Sequence, residues 1–71
     1  MKRQFVGVVK KIIKVQEVPE KNNITLDLDG IMEIQCTTDQ DVSELKLKDR
    51  IFIEGDSKNN ATIENSVFKK I

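Results

Sequence analysis

Ile24-Thr25-Leu26-Asp27-Leu28-Asp29-Gly30-Ile31-Met32-Glu33-Ile34-Gln35-Cys36 is the stretch on which the fold turns. Ile24, Leu26 and Leu28 alternate with Thr25, Asp27 and Asp29. Beyond Asp29-Gly30, Met32, Ile34 and Cys36 alternate with Glu33 and Gln35. A period of two marks a strand with one dry face, and Asp-Gly between two such runs is a strong short-range turn signal. The stretch predicts a β-hairpin with one face in a core and the other in water.

Upstream, Phe5-Val6-Gly7-Val8-Val9-Lys10-Lys11-Ile12-Ile13-Lys14-Val15 reads as one long strand whose alternation breaks at Lys10-Lys11. Val6 and Val8 share one parity, and Val9, Ile13 and Val15 the other. A strand serving two sheet faces, bent at Gly7 or at a bulge, has this pattern. Residues 16–23 read as a loop from Pro19, their charges and the Asn22-Asn23 pair. Downstream, Thr38 is a candidate N-cap, with acids following it and Val42 and Leu45 three residues apart, which predicts a short helix. Ile51-Phe52-Ile53-Glu54 is a fourth strand stopping at Gly55, and residues 56–60 are a turn. Residues 61–71 are a fifth strand anchored by Ile63, Val67 and Ile71, with Phe68 alongside. The expected order is β-β-β-α-β-β.

Composition agrees. Ile, Val and Thr contribute 20 β-branched residues against one Ala and four Leu, a balance that favours strands over helices. With 71 residues, the chain is expected to hold one small domain over 1–71, and such a chain buries only about 60% of its unfolded surface. Closure into a barrel helps by removing exposed edges. Twelve Lys and Arg balance twelve Asp and Glu, which argues against a polybasic role. With no His, one Cys and no convergent carboxylates in a cleft, neither enzymatic activity nor a metal or other cofactor is expected. A lone Cys closes no internal disulfide, no apolar stretch approaches 20 residues, and Lys10-Lys11 interrupts any leader-like run. These features predict a cytoplasmic protein with no membrane contact.

The long bent first strand, the hairpin, an element between strands three and four, and a closing hairpin together resemble the OB-fold, a five-stranded Greek-key barrel. Phe5 to Ile12 resembles the opening strand of many OB domains. Leu47-Lys48-Asp49-Arg50-Ile51-Phe52-Ile53-Glu54-Gly55 is similar to their fourth strand, and Ala61 to Ile71 to their last. The fold class implied is mostly β, a five-stranded barrel with one short helix between strands three and four. An SH3-like or Sm-like small barrel is the alternative. A narrower resemblance, over Ile24 to Gly30 and Thr37 to Ile51, is to the molybdate-binding Mop domain. That family has a Ser-Ala-Arg-Asn-like opening and a Lys-Ala-Ser-like stretch where this chain has Met1-Lys2-Arg3-Gln4 and Gly55-Asp56-Ser57-Lys58. Molybdate-type oxyanion binding is therefore the minor expectation.

OB-folds that hold single strands use a face centred on strands two and three, with aromatic residues that stack bases and cations that follow phosphates. Here residues 22–45 carry six acids and no base, while residues 1–21 carry +4 and residues 46–71 carry +2. The solvent side of the hairpin is acidic and lacks aromatics, so single-strand contacts are expected elsewhere: Lys10, Lys11 and Lys14 from strand one, Lys58 and Asn59 from the last turn, Lys69 and Lys70 from the chain end, and Phe52, which points outward if Ile51 and Ile53 point inward. Asp27, Glu33 and Phe52 are candidates for contact with a protein partner. Phe5, Phe68 and Cys36 are expected in the core. The functional expectation is a non-catalytic accessory protein that docks on a larger replication or nucleic-acid-processing protein, such as a polymerase, primase or helicase, and binds single-stranded DNA or RNA weakly. The alternative is a pure protein-interaction or self-assembly module. The oligomeric state is left open.

Overall fold

The computed structural model describes residues 2–15 and 21–71; of the loop expected over 16–23, residues 16–20 lie outside them. Five strands form: β1 (Lys2–Val15), β2 (Lys21–Leu28), β3 (Met32–Thr38), β4 (Arg50–Asn59) and β5 (Thr62–Lys70). They close a barrel in the order β1-β2-β3-β5-β4. All neighbours are antiparallel except β3 and β5, which run parallel through Gln35↔Thr62 and Cys36↔Ile63. The architecture is mostly β and consistent with an OB-like small barrel. Among the described residues no helix is long and apolar enough to cross a membrane.

The hairpin forms as expected, with Ile24 opposite Cys36 and Leu26 opposite Ile34, all four buried. Asp29 and Gly30 take left-handed φ values of 54° and 76°, and the Asp27 carboxylate accepts the Gly30 N–H at 2.9 Å. Asp and Gly tolerate this backbone better than other residues. Met32, expected in the core, is 39% exposed because it sits beside the turn, at the rim of the barrel. β2 begins at Lys21, so Lys21 to Asn23, expected in a loop, pair with β1 and β3 instead.

The break in β1 is a bulge. The register shifts between Val9 and Lys11, leaving Lys10 as an extra residue. One extra residue reverses which side chains face inward. Phe5, Gly7 and Val9 turn to the core before the bulge. Ile12 does so after it, while Ile13 is 44% exposed. The bulge also divides the partners: Lys2 to Val8 pair with β4, and Val8 to Val15 with β2. Gly7 answers a different need, since a Cβ there would lie 2.6 Å from the Asp27 carbonyl oxygen.

β5 repeats the device. Between Glu54↔Val67 and Asp56↔Glu64, the single residue Gly55 faces Asn65 and Ser66, and Asn65 has φ 51°. The parity switch sends Ser66 inward and leaves Val67 58% exposed, so Val67 is not the core anchor its spacing suggests; Ile71 is exposed too. β4 does not stop at Gly55 but runs on to Asn59, because a residue without Cβ lets β5 pack close. A Cβ at Gly55 would lie 2.7 Å from both the Glu64 carbonyl oxygen and Ser66 Oγ.

No helix forms between β3 and β4. Residues 39–49 instead make two single turns, closed by Leu45 N–H to the Val42 carbonyl (3.0 Å) and Asp49 N–H to the Lys46 carbonyl (3.1 Å). Asp41 accepts the Ser43 N–H and Asp49 accepts the Lys46 N–H, local bonds that compete with a helix, and Lys48 at φ 75° stops one outright. The Val42 and Leu45 spacing still serves its end: both are buried against the core. The connector is tied to β1 at the bulge, where Val9 donates to the Asp49 carbonyl (2.8 Å) and accepts from Lys48 (2.7 Å).

Ser66 Oγ is buried with no hydrogen-bond partner among the described residues. An unpartnered buried hydroxyl costs about 1–3 kcal/mol, so Ser66→Ala is expected to be neutral or stabilising by about 1 kcal/mol. Gly55→Ala is expected to destabilise by about 1–3 kcal/mol through overpacking. Urea denaturation of both variants checks the opposite signs.

Candidate binding surfaces

The outer face of β1, β2 and β3 is a polar groove. Its centre is the cross-strand row Lys11, Thr25 and Gln35, with Thr25 Oγ1 donating to Gln35 Oε1 at 3.0 Å. Ile13 lies opposite Asn23 in the next row. Towards the hairpin turn, Asp27 stands directly opposite Glu33, a like-charge pair that repels. Lys10, turned out by the bulge, hydrogen-bonds and ion-pairs with Glu33, and its ammonium is held above its ordinary value by Glu33 first and by Asp27 as well. The acidic end of the hairpin is therefore partly neutralised from β1, and its middle is uncharged. None of the three Phe residues lies on this face: Phe5 and Phe68 pack against the core, with Arg3 4.8 Å from the Phe5 ring, and Phe52 belongs to β4.

The outer face of β1, β4 and β5 is different. Ile51 and Ile53 are fully buried, and Phe52 between them is partly exposed. It sits opposite Val6 on one side and Lys69 on the other, with the Lys69 ammonium 5.8 Å from its ring centre. In the adjoining row, Glu54 lies between Gln4 and Val67 and accepts a 2.7 Å hydrogen bond from Gln4. Val6 at 46% and Val67 at 58% exposure extend the apolar surface of Phe52 across three strands. Glu54 and Lys69 edge a shallow depression that Phe52, Val67 and Phe68 line.

The basic candidates line more than one depression. Lys10 and Lys11 line a depression on the β1–β2–β3 face, whereas Lys69 and Lys70 line one beside the connector. Three of the six candidate lysines are also engaged: Lys10 by Glu33, Lys58 by Glu64 at 3.2 Å, and Lys70 by Asp49 at 3.1 Å. Asn59 shapes its own turn by accepting the Ala61 N–H at 2.8 Å. Lys11 and Lys14 have no ion-pair partner among the described residues. Asp27 and Glu33, the candidate acids for a partner, are occupied by the Gly30 N–H and by Lys10. Val6 and Val67 were not legible as surface residues; the outward parity of Phe52 was the available signal for Val6, and the β5 bulge hid Val67.

Among the described residues no three His, Cys, Asp or Glu side chains converge on a point where a metal ion fits. Cys36 is buried, and desolvation pushes its thiol up to about 12, which suppresses the nucleophilic thiolate at neutral pH. Comparison of the chain with protein-family models, with curated proteins and with solved structures finds no match.

The Lys46 N–H, first, and the Lys70 ammonium, second, hold the Asp49 carboxyl below its ordinary value of 3.8. A carboxylate stabilised in this way contributes stability above that value and loses it as pH falls through the lower, folded value. Asp49→Asn keeps the shape and removes the charge. The variant is expected to melt below the wild type at pH 7, with the gap closing as pH drops below 3.8; melting curves from pH 7 to pH 2 check this.

Proposed function

We propose that the chain is a non-catalytic OB-fold accessory module of DNA or RNA transactions. It docks on a larger replication or nucleic-acid-processing protein through the Phe52 face and adds weak single-strand contacts. The observation that carries this reading is the Val6–Phe52–Val67 cluster, an apolar surface spanning three strands on the outside of a closed barrel. An aromatic flanked by aliphatic side chains and rimmed by charge is the composition of an interface centre. The OB assignment is supported by the parallel β3–β5 closure and by β1 lying between β2 and β4.

The single-strand contribution falls to Lys11 and Lys14, with Lys10, Lys58 and Lys70 entering only after giving up an acidic partner. Binding that rests on so few phosphate contacts is weak and strongly weakened by salt. The second reading, a protein-interaction module that never touches nucleic acid, is favoured by the same three ion pairs and by the absence of Phe from the β1–β2–β3 face.

Affinity capture from host extract with and without nuclease separates the two, combined with Phe52→Ala and a Lys11→Glu, Lys14→Glu double variant. Phe52→Ala is expected to lose the captured protein by tenfold or more, about 1.4 kcal/mol or above. The double variant is expected to retain that protein, lose oligonucleotide binding at low salt and flatten the log–log salt slope. Undiminished capture by Phe52→Ala contradicts the docking face. Wild-type protein that binds no oligonucleotide at low salt, alone or with its partner, leaves the second reading standing.

A further inference from the structure

The seam between β3 and β5 is closed by side chains. Backbone pairing there covers only Gln35↔Thr62 and Cys36↔Ile63, with Gln35 N–H also donating to the Ala61 carbonyl at 2.8 Å. β5 then continues to Lys70 while the chain after Thr38 leaves the sheet. The Ile71 N–H bonds the Arg50 carbonyl. In an antiparallel ladder, bonded and non-bonded pairs alternate, so Phe68 and Lys70 turn their backbone groups away from β4, towards the seam. Thr38 Oγ1 donates to the Ser66 carbonyl at 2.6 Å. The Gln40 carboxamide takes both backbone groups of Phe68: Nε2 donates to its carbonyl and Oε1 accepts its N–H, each at 3.0 Å. Gln40 thus does with one exposed side chain what a neighbouring strand does with its backbone.

We propose that this seam is an acceptor site for an extended peptide bearing cationic side chains, which displaces the Gln40 carboxamide and pairs with the β5 edge at Phe68 and Lys70. The exchange is favourable in kind. A strand replaces both Gln40 bonds with equivalent backbone bonds and adds those to Lys70, the mode by which extended peptides join open sheet edges. Space exists on either side of Gln40, in one depression reaching Asp39, Asn65 and Val67 and another reaching Asp41, Glu44 and Leu45. Charge selects the partner. Asp39, Asp41 and Glu44 are all exposed along the connector, and the Ser43 N–H and hydroxyl hold Asp41 ionised, with Lys14 offsetting part of its charge. The two lysines on the β5 side are engaged, Lys70 with Asp49 and Lys69 over the Phe52 ring. The seam borders the Phe52 face at Val67 and Phe68, but pairing there uses the β5 backbone and does not rest on docking at Phe52.

The test is an amide-resolved NMR titration of the full chain with a capped hexapeptide of alternating lysine and valine. Its controls are the matching glutamate–valine peptide and a lysine–valine peptide N-methylated at every residue, which blocks both edges. The amides of Phe68 and Lys70 are expected to shift with the first peptide and with neither control. Gln40→Ala is expected to bind it several-fold more tightly, and Gln40→Glu, which keeps the acceptor but loses the donor, also more tightly than wild type. Absence of shifts at Phe68 and Lys70 at millimolar peptide overturns the proposal. So do equal binding of the glutamate–valine peptide and shifts confined to Lys11, Thr25 and Gln35. The wild-type titration decides the matter even if both Gln40 variants fail to fold.

Discussion

A closed five-stranded barrel requires β1 to serve two neighbours, and the extra residue at Lys10 lets it do so. Up to Val8 the strand is matched to β4, and from Val8 onward to β2. At Val9 the backbone is held from the connector side by Lys48 and Asp49 while the residue still lies opposite Leu26. The second bulge, at Asn65 and Ser66 opposite Gly55, bends β5 in the same way before it runs beside the first half of β4. Without these two insertions β1 and β5 each keep one inward face along their length, and the sheet has less means to turn back on itself. The core of Val9, Ile24, Leu26, Ile34, Ile51, Ile53 and Ile63, joined by Val42 and Leu45 of the connector, exists because the strands close around it.

The bulges also make the surfaces. Each reverses parity, and each reversal moves an apolar side chain outward: Ile13 onto the β1–β2–β3 groove, and Val67 beside Phe52. Lys10 itself is turned towards Glu33, so the same insertion that bends β1 offsets the repulsion between Asp27 and Glu33. Of the three ion pairs only Lys10–Glu33 joins a basic end of the chain to its acidic middle; Lys58–Glu64 and Lys70–Asp49 both lie within residues 46–71. What remains is a barrel with a neutral polar groove, an apolar patch and a seam bordered by acids.

The hairpin was legible because its signal is local: it forms with Asp29 and Gly30 in its turn, although burial departs from strict alternation at Thr25, which is buried, and at Met32, which is exposed. The break at Lys10-Lys11 was legible as a break, and the burial of Ile51 and Ile53 on either side of Phe52 followed from period two. Parity counted across a bulge fails, which is why Val67 was misplaced. The helix expected after Thr38 failed because Asp41, Ser43 and Asp49 spend their side chains on local turns, an outcome that the same residues disguise as capping signals. The pairing of Lys10 with Glu33 and of Lys70 with Asp49, and the reach of Gln40 to Phe68, depend on strand order and have no signature in spacing.

Everything above rests on parallel closure of β3 against β5, the shortest ladder in the molecule. Backbone proton contacts across Gln35–Cys36 and Thr62–Ile63, measured by NMR together with the exchange rate of the Gln35 amide, test it most directly. The account predicts contacts in the parallel pattern and slow exchange at Gln35, whose N–H is bonded to the Ala61 carbonyl. A Gln35 amide that exchanges as fast as that of exposed Asn60, with no contacts between the two strands, would show an open sheet and contradict it.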